Sequence, residues 1–484
     1  MVSNRCITPQ LFRFSILGDG TVLFFENKMF YRLSKESFVR KIENFGYIYN
    51  QRTKVNITFT DSGAIFLQAL SRYAQSLDKL VSKIALDFEG ISESDIYQDV
   101  AEFFEELLEQ RLVVAGASEQ ECNQKDYEES LKDISELQAD DFEDYISKPY
   151  LQSCQIEITN KCNERCIHCY IPHDKKNIEL PFDAIEALLH QLKQMGTLKI
   201  TLSGGEFFLH PDCIRILRKV RELDFSYRIL SNVTMLNKNI LEVLKETNPR
   251  IIQISLYSMD ATEHDSITHL AGSFERTIQA IEILKENGIP IELSCPVMEL
   301  NYKSYKNVLS YAKSINCSAH TDLMLLSSYD FAKENVAERL SLNQIENLLQ
   351  EIAKYENTPT PIQDGKISKE EWMKEPLCLV GQKEICVDAN GNVFPCAGGQ
   401  AIVCGNIMEQ PMKDIWLRSP KLNHLRSLKK ESIPQCFDCK SNDICHVCLV
   451  YNYNENAGDY LKVPKRFCEI SRIKKNISIA AKER

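Results

Sequence analysis

Eighteen cysteines, unevenly placed, constrain this chain more than any other feature of it. Three fall within Cys162–Cys169 with the spacing C-x3-C-x2-C, and nine lie between Cys378 and Cys468. The remaining six (Cys6, Cys122, Cys154, Cys213, Cys295 and Cys317) are scattered and read as small buried core residues. In an intracellular chain, cysteines spaced this tightly read as metal ligands rather than a disulfide framework. Three thiolates on one loop can hold three corners of an iron–sulfur cube, whose complete ligation by protein takes four cysteines. The fourth iron is then an open coordination site, the property that separates a catalytic metal centre from a structural one. Zinc is the alternative, and it wants a fourth ligand close by. His168 lies between two of the cysteines and is badly placed to share their metal.

Several function classes are excluded by composition. At 484 residues the chain is long enough for two to four domains. Its start, MVSNRCITPQLFRF, lacks the basic-then-apolar layout of a secretory leader, and no apolar run is long enough for a membrane span. The expectation is a cytoplasmic protein with no membrane partner. The net charge is −11, and most of it is local: Glu119–Asp144 holds eleven acidic residues against two basic ones. That segment reads as a solvated linker, with an acidic docking surface as the alternative. A mildly acidic chain is a poor match for nucleic acid, which needs clustered lysine and arginine.

The order of patterns along the chain suggests separate modules. Residues 1–36 form a strand-like N-terminal extension broken by a hairpin signal, Gly18-Asp19-Gly20. Residues 37–116 read as a winged-helix-like unit, with short strands near Phe45–Tyr49 and Val55–Thr60 and three helices. Asp61 or Ser62, Ser76, and Ser92 with Asp95 supply the caps. In the third helix Val100, Phe103, Phe104, Leu107 and Leu108 make a core-facing stripe. An acidic linker, 117–149, leads into residues 150–335, where strands alternate with helices. Strands are expected at Gln155–Ile158, Lys199–Leu202, Tyr227–Leu230, Ile251–Leu256, Ile291–Cys295 and Asp322–Leu326, with helices such as Pro181–Met195 and Phe274–Asn287 between them. Six such units imply an α/β fold, a partial (β/α)6 barrel whose ligands gather at the carboxyl ends of the strands. A helical bridge, 336–377, containing Thr358-Pro359-Thr360-Pro361, precedes the cysteine-rich region 378–470, and a basic tail, 471–484, closes the chain.

The loop that follows the first of these strands, Thr159-Asn160-Lys161-Cys162-Asn163-Glu164-Arg165-Cys166-Ile167-His168-Cys169-Tyr170, resembles the cluster motif of the radical S-adenosylmethionine (SAM) enzymes. The resemblance implies that Cys162, Cys166 and Cys169 hold a 4Fe-4S cluster whose open iron chelates SAM. One electron then cleaves the sulfonium, and the resulting 5′-deoxyadenosyl radical abstracts a hydrogen atom. Further matches fall at the ends of consecutive strands. Ser203-Gly204-Gly205-Glu206 resembles the motif that binds the SAM amino group, with Glu206 as the carboxylate partner of the ammonium. Ser231-Asn232 and Ser255 resemble the ribose- and carboxylate-contacting positions, and His168 the position near the adenine. The segment His264–Phe274 is also similar to a family segment. There Thr268 stands where arginine is frequent; earlier in the chain, Val233 stands where glycine is frequent. Taken singly, Gly-Gly-Glu could be a plain turn, and serine or asparagine after a strand an ordinary cap.

Cys378-x12-Gly391-x4-Cys396, followed by Cys436-x2-Cys439-x5-Cys445-x2-Cys448 and then Cys468, resembles the SPASM domain, which carries two auxiliary 4Fe-4S clusters. By that resemblance Cys436, Cys439, Cys445 and Cys468 hold the distal cluster and Cys378, Cys396 and Cys448 the proximal one, making three clusters in all. A pair of zinc knuckles is the alternative. Cys386 and Cys404 are both candidates for the proximal cluster's fourth position. A two-residue turn at Asn390-Gly391 would pair Cys396 with Ile385 and turn Cys386 to the other face, whereas a bulged turn would reverse this. If neither binds, an iron stays open to a substrate thiolate.

A winged helix is usually a DNA reader, but here the third helix carries Asp95, Asp99, Glu102, Glu105, Glu106 and Glu109 and would repel phosphate. The unit instead resembles the PqqD-like peptide-recognition element, which binds a leader peptide as an added strand. Val55–Thr60 is the candidate edge. A domain that only packs on the barrel is the alternative. Together the modules resemble peptide maturases, especially those forming thioether crosslinks. That implies a cysteine-containing precursor peptide as partner, bound by residues 37–116, and a flavodoxin or ferredoxin as electron donor. Epimerisation or carbon–carbon crosslinking is the alternative chemistry, and a non-enzymatic cluster scaffold the alternative class.

Overall fold

The computed structural model describes residues 15–16, 22–23, 29–42, 45–127, 149–172, 177–356 and 368–482. At its centre six parallel strands stand side by side in chain order: Ser153–Thr159, Lys199–Gly204, Ser226–Ser231, Ile251–Ser255, Ile291–Ser294 and Ser318–His320. The first strand shows why they form a one-sided sheet. Cys154, Ile156 and Ile158 are fully buried against the outer helices, while Gln155, Glu157 and Thr159 alternate onto the inner face. The intervening helices bury matching stripes, such as Ile185, Leu188, Leu189 and Leu192 of Phe182–Gln194. Each fully buried leucine or isoleucine contributes about 1.5–3 kcal/mol. The fold is therefore an α/β partial barrel.

The sixth strand is not where the sequence suggests. Ser318–His320 pairs with Glu292–Ser294, and the expected strand at Asp322–Leu326 is irregular. Asp322 Oδ1 accepts from Met324 N at 2.7 Å, a local turn that bends the chain away from the sheet.

The cysteine-rich region joins the same sheet. Glu384–Val387 runs parallel to the first barrel strand, then Asn392–Phe394 and Gly405–Asn406 follow antiparallel, giving a nine-stranded sheet. The intervening turn is the bulged form. Gly391 N donates to Asp388 O, Gly391 adopts φ +79°, and Asp388 Oδ1 accepts from Asn390 N and Asn392 N. Val387 then pairs with Val393 and Cys386 with Phe394, and the register continues to Glu384 beside Cys396. Cys386 therefore shares the face of Cys396.

The N-terminal module packs two small sheets around three helices, Asp61–Ala69, Leu77–Ala85 and Glu93–Glu109. Ser76 accepts from Lys79 N, and the Asp95 carboxylate accepts from both N and Oγ of Ser92. Val100, Phe104 and Leu107 form the buried stripe, with Phe103 and Leu108 at its margin. One sheet is Ser37–Ile42, Phe45–Asn50 and Asn56–Thr60, with Asn56–Thr60 at its edge. In the other, Phe30–Leu33 lies between Gln75–Ser76 and Val113–Gly116, so this stretch of the expected extension is built into the module. The start of the expected linker is also folded. Helix Glu119–Gln124 buries Cys122, and Arg32 donates to Cys122 O at 2.9 Å. Of the expected hairpin, Ser15–Ile16 pairs with Val22–Leu23; the Gly18–Gly20 turn, the remainder of the acidic segment (128–148) and the Thr358–Pro361 loop lie outside the described residues. The basic stretch Arg472–Lys475 is no tail: it belongs to the helix Lys465–Lys482, which packs on Leu342–Glu356. Among the described residues no helix is long and apolar enough to cross a membrane.

Cations of the module are seated on the carboxyl ends of two barrel helices, where the helix dipole favours positive charge. Arg40 Nη2 donates to Leu223 O and Asp224 O at 2.7 and 2.6 Å, after helix Cys213–Glu222. Lys54 Nζ donates to Asn248 O and Pro249 O at 3.1 and 3.0 Å, after helix Lys238–Thr247. Burial pushes the Lys54 amine well below its ordinary range. Lys54→Met keeps the stem but orphans these carbonyls. It should lower unfolding stability by about 1–3 kcal/mol in calorimetry, whereas a surface lysine such as Lys79 replaced in the same way should change it little.

Candidate active site

The carboxyl ends of the barrel strands enclose a chamber of about 340 Å³. Cys162, Cys166 and Cys169 line it together with His168, Ser203, Gly204, Gly205, Ser231, Asn232 and Ser255, so ten of the expected site residues converge on one space. Glu206 does not line the chamber. It is buried, and its carboxylate accepts from Phe208 N at 3.0 Å, Ser231 Oγ at 2.7 Å and Asn232 N at 2.8 Å. These three bonds join the ends of the second and third strands, and the 3-10 turn after Glu206 points the side chain inward.

The two glycines have a structural cause. A Cβ on Gly204 would lie 2.1 Å from Thr159 O, and one on Gly205 would lie 2.2 Å from Lys161 O. The stem of the cysteine loop comes this close because Gly205 N donates to Thr159 O at 2.7 Å and Glu206 N donates to Lys161 O at 2.8 Å. The other side of the loop rests on residues 264–274. Arg165 N donates to Thr268 O, Ile167 N to Ile267 O, and the Asp265 carboxylate gathers Gly272 N, Ser273 Oγ and Phe274 N. Thr268 thus serves through its backbone, while its hydroxyl bonds Ser273 Oγ. Val233 adopts φ +54°, the left-handed conformation that explains why glycine suits this position.

Three thiols on one loop are the donor type that iron–sulfur clusters use. Among the described residues no three His, Cys, Asp or Glu side chains converge tightly enough to hold one metal ion, as tetrahedral zinc would require. The thiols nevertheless sense one another: Cys166 is pushed well up by burial, then by Glu164, Cys169 and Cys162. The cysteine-rich region divides in the same way. Burial pushes Cys436 up to about 11, reinforced by Cys445, Cys468 and Cys439, and these four line a cavity of about 480 Å³ whose wall Cys378 also reaches. Cys396 is raised by burial and then by Glu384, Cys448 and Cys378. Cys386 is raised by burial and then by Cys396. Cys404 lies elsewhere, near Lys421 and Arg426. Of the scattered cysteines, Cys122, Cys154, Cys213 and Cys295 are buried, Cys317 is half-buried, and Cys6 is outside the described residues.

Two buried carboxylates escaped the sequence reading. Glu164, inside the cysteine loop, lines the chamber, is pushed up to about 7 by burial, and has one oxygen without a hydrogen-bond partner. Glu157 is likewise pushed up to about 7 by burial, against hydrogen bonds from Gln400, Tyr170 and Gln155. The polar alternation Gln155, Glu157, Thr159 carried a signal for the second of these. Gly205→Ala should detach the cysteine loop without touching a thiol. Iron analysis of the anaerobically reconstituted protein should then show the loss of one cluster's worth of metal; full iron loading would contradict this account of the glycines.

Comparison with known proteins places three profiles on this fold. A profile described as the radical SAM superfamily matches residues 156–312, an iron-sulfur cluster-binding (SPASM) domain matches 378–440, and coenzyme PQQ synthesis protein D (PqqD) matches 47–113. The chain is 25% identical over 334 residues to an AdoMet-dependent heme synthase of Methanosarcina barkeri, covering 63% of this chain and 93% of that protein. It is 26% identical over 310 residues to the antilisterial bacteriocin subtilosin biosynthesis protein AlbA of Bacillus subtilis, covering 62% and 67%. The crystal structure of Streptococcus suis SuiB bound to precursor peptide SuiA superposes with a TM-score of 0.60 at 15% identity, over 90% of this chain and 99% of that one, a likeness of fold. Along the chain, segments matching the PqqD, radical SAM and SPASM profiles therefore follow one another, the second on the partial barrel and the third on the cysteine-rich region.

Proposed function

We propose that this protein is an enzyme that modifies a ribosomally made precursor peptide, forming thioether crosslinks between cysteine sulfur and the Cα or Cβ of acceptor residues. One observation carries the reading: the barrel that holds the thiol-lined chamber is bonded through Arg40 and Lys54 to a module whose strand Asn56–Thr60 has, among the described residues, an unpaired outer edge. The bacteriocin biosynthesis relative and the peptide-bound structural neighbour support it. When bound at Cys162, Cys166 and Cys169, a 4Fe-4S cluster with SAM supplies a 5′-deoxyadenosyl radical that removes a hydrogen atom from the peptide. In this reading Ser203, Gly204, Gly205, Ser231, Asn232 and Ser255, which line the chamber, contact SAM, and His168 lies near the adenine. Its ring packs edge-on against Tyr257 with centroids 5.0 Å apart, which fixes its position. Glu206 acts as a positioning residue for Ser231 and Asn232.

In this reading Cys436, Cys439, Cys445 and Cys468 hold the distal cluster, and Cys378, Cys396 and Cys448 the proximal one. Cys386, which shares the face of Cys396, is the candidate fourth ligand. The partners are the precursor peptide and a flavodoxin or ferredoxin, and the setting is the cytoplasm.

Leader binding falls to Asn56–Thr60. Among the described residues its outer edge pairs with no strand, and Phe59 packs edge-on against Phe103 of the third helix at 4.8 Å. An added strand bonds through alternate residues. Proline at successive positions from Asn56 to Thr60 should therefore weaken precursor binding by about tenfold or more at alternate positions, read by fluorescence anisotropy on the full chain. Uniform affinity across the set contradicts strand addition.

The chemistry is tested by mass spectrometry of a co-expressed precursor. The expected product is about 2 Da lighter per crosslink, with one thiol per crosslink no longer alkylatable. A modified peptide whose thiols all react is the outcome for epimerisation or carbon–carbon crosslinking. Replacing Cys162, Cys166 and Cys169 together with alanine should abolish conversion.

A further inference from the structure

Beside the chamber lies a second cavity of about 230 Å³. Three separate parts of the chain wall it: Glu157 and Asn160 at the end of the first barrel strand, Ile171 and Tyr329 near the exit of the cysteine loop, and Asp388 and Gln400 from the cysteine-rich hairpin and its continuation. Ile171 lines both spaces, and Tyr170, which lines the chamber, donates its hydroxyl to Glu157 at 3.2 Å.

Among the described residues no lysine, arginine or histidine lines this cavity. Glu157 is 5% exposed, and its hydrogen-bond donors are neutral: Gln155 Nε2 at 3.3 Å, the Tyr170 hydroxyl, and Gln400 Nε2 at 3.0 Å. Gln400 is 7% exposed, and its Oε1 has no hydrogen-bond partner. Asp388 adds a second carboxylate, already taken up by the turn it organises. Among the described residues no cation pairs with Glu157, and a carboxylate buried in this way is costly to keep, as is an unpaired amide oxygen. Such arrangements persist where a ligand completes them. A proton acceptor would need one oxygen only; here two acceptors on different elements converge on a space several waters in size.

We propose that this cavity is a subsite for a basic side chain, lysine or arginine, of the peptide substrate. Glu157 supplies the charge and Gln400 Oε1 a second acceptor. The shared wall places the residue that carries this side chain next to the one presented in the chamber. The inference rests on the peptide-modifying reading and specifies the sequence that the enzyme accepts.

The probe is a cysteine-containing peptide with several lysines and arginines, selected for binding to the reconstituted full-length enzyme and tested on it with SAM. Glu157→Gln keeps the shape and removes the charge. It should weaken peptide binding at least tenfold in anisotropy and raise KM to match. Each lysine and arginine of the peptide is then replaced by glutamine. One position should reproduce the loss with the native enzyme and add nothing further with Glu157→Gln. Unchanged affinity, or the absence of such a coupled position, overturns the subsite. So does a fall confined to kcat with a displaced pH profile, which signals proton transfer instead. Gln400→Leu should weaken binding in the same direction by less, and it decides the matter if Glu157→Gln fails to fold. A native enzyme that binds the peptide but leaves its mass unchanged overturns the modifying reading alone, because the coupled position is still read from binding.

Discussion

Two short backbone hydrogen bonds, from Gly205 N to Thr159 O and from Glu206 N to Lys161 O, tie the cysteine loop to the second barrel strand. Everything in the chamber depends on that closeness. It leaves no room for a side chain at Gly204 or Gly205, and it directs Glu206 inward, where its carboxylate joins the ends of the second and third strands. Asn232 then reaches back to Asn163 in the loop at 3.1 Å, closing a ring of contacts around the thiols. A motif that reads as ligand-binding chemistry is thus first a device for holding backbone segments together.

The same economy governs how the modules meet. The N-terminal module does not hang from a tether; Arg40 and Lys54 end on carbonyls that two barrel helices would otherwise leave unpaired. The cysteine-rich region is continuous with the barrel sheet through Glu384–Val387, so its hairpin turn and Gln400 stand beside the first strand. The Asn56–Thr60 edge proposed for the leader, the chamber and the cysteine-rich region are therefore joined through these contacts. For a reaction on a long flexible substrate, such preorganisation lowers the entropic cost of bringing the reacting residue to the chamber.

Much of this was legible beforehand, because period-2 and period-3.6 patterns report burial directly. Five of six barrel strands and the caps at Ser76 and Ser92 follow from local spacing, whereas the gathering of Ser203, Ser231, Asn232 and Ser255 around the three thiols was implied by resemblance to the radical SAM motifs. What failed was decided by partners distant in sequence. The sixth strand moved to Ser318–His320 because pairing, not hydrophobicity, chose it. Phe30–Leu33 looked peripheral until Val113–Gly116 came to lie beside it, and the acidic helix Glu119–Gln124 is held by the buried Cys122 and by Arg32.

The amino-acid sequence alone determined which thiols one loop can bring together, since a few residues of chain have little freedom. Only the tertiary structure decided which other groups share that space. Glu206 left the chamber wall, Glu157 gained a cavity with Gln400, and a single extra residue in the Asp388–Asn392 turn put Cys386 on the face of Cys396. The physical reason is register. In a sheet one residue of slip reverses which face a side chain occupies, and that choice is made by turns and by strands hundreds of residues apart.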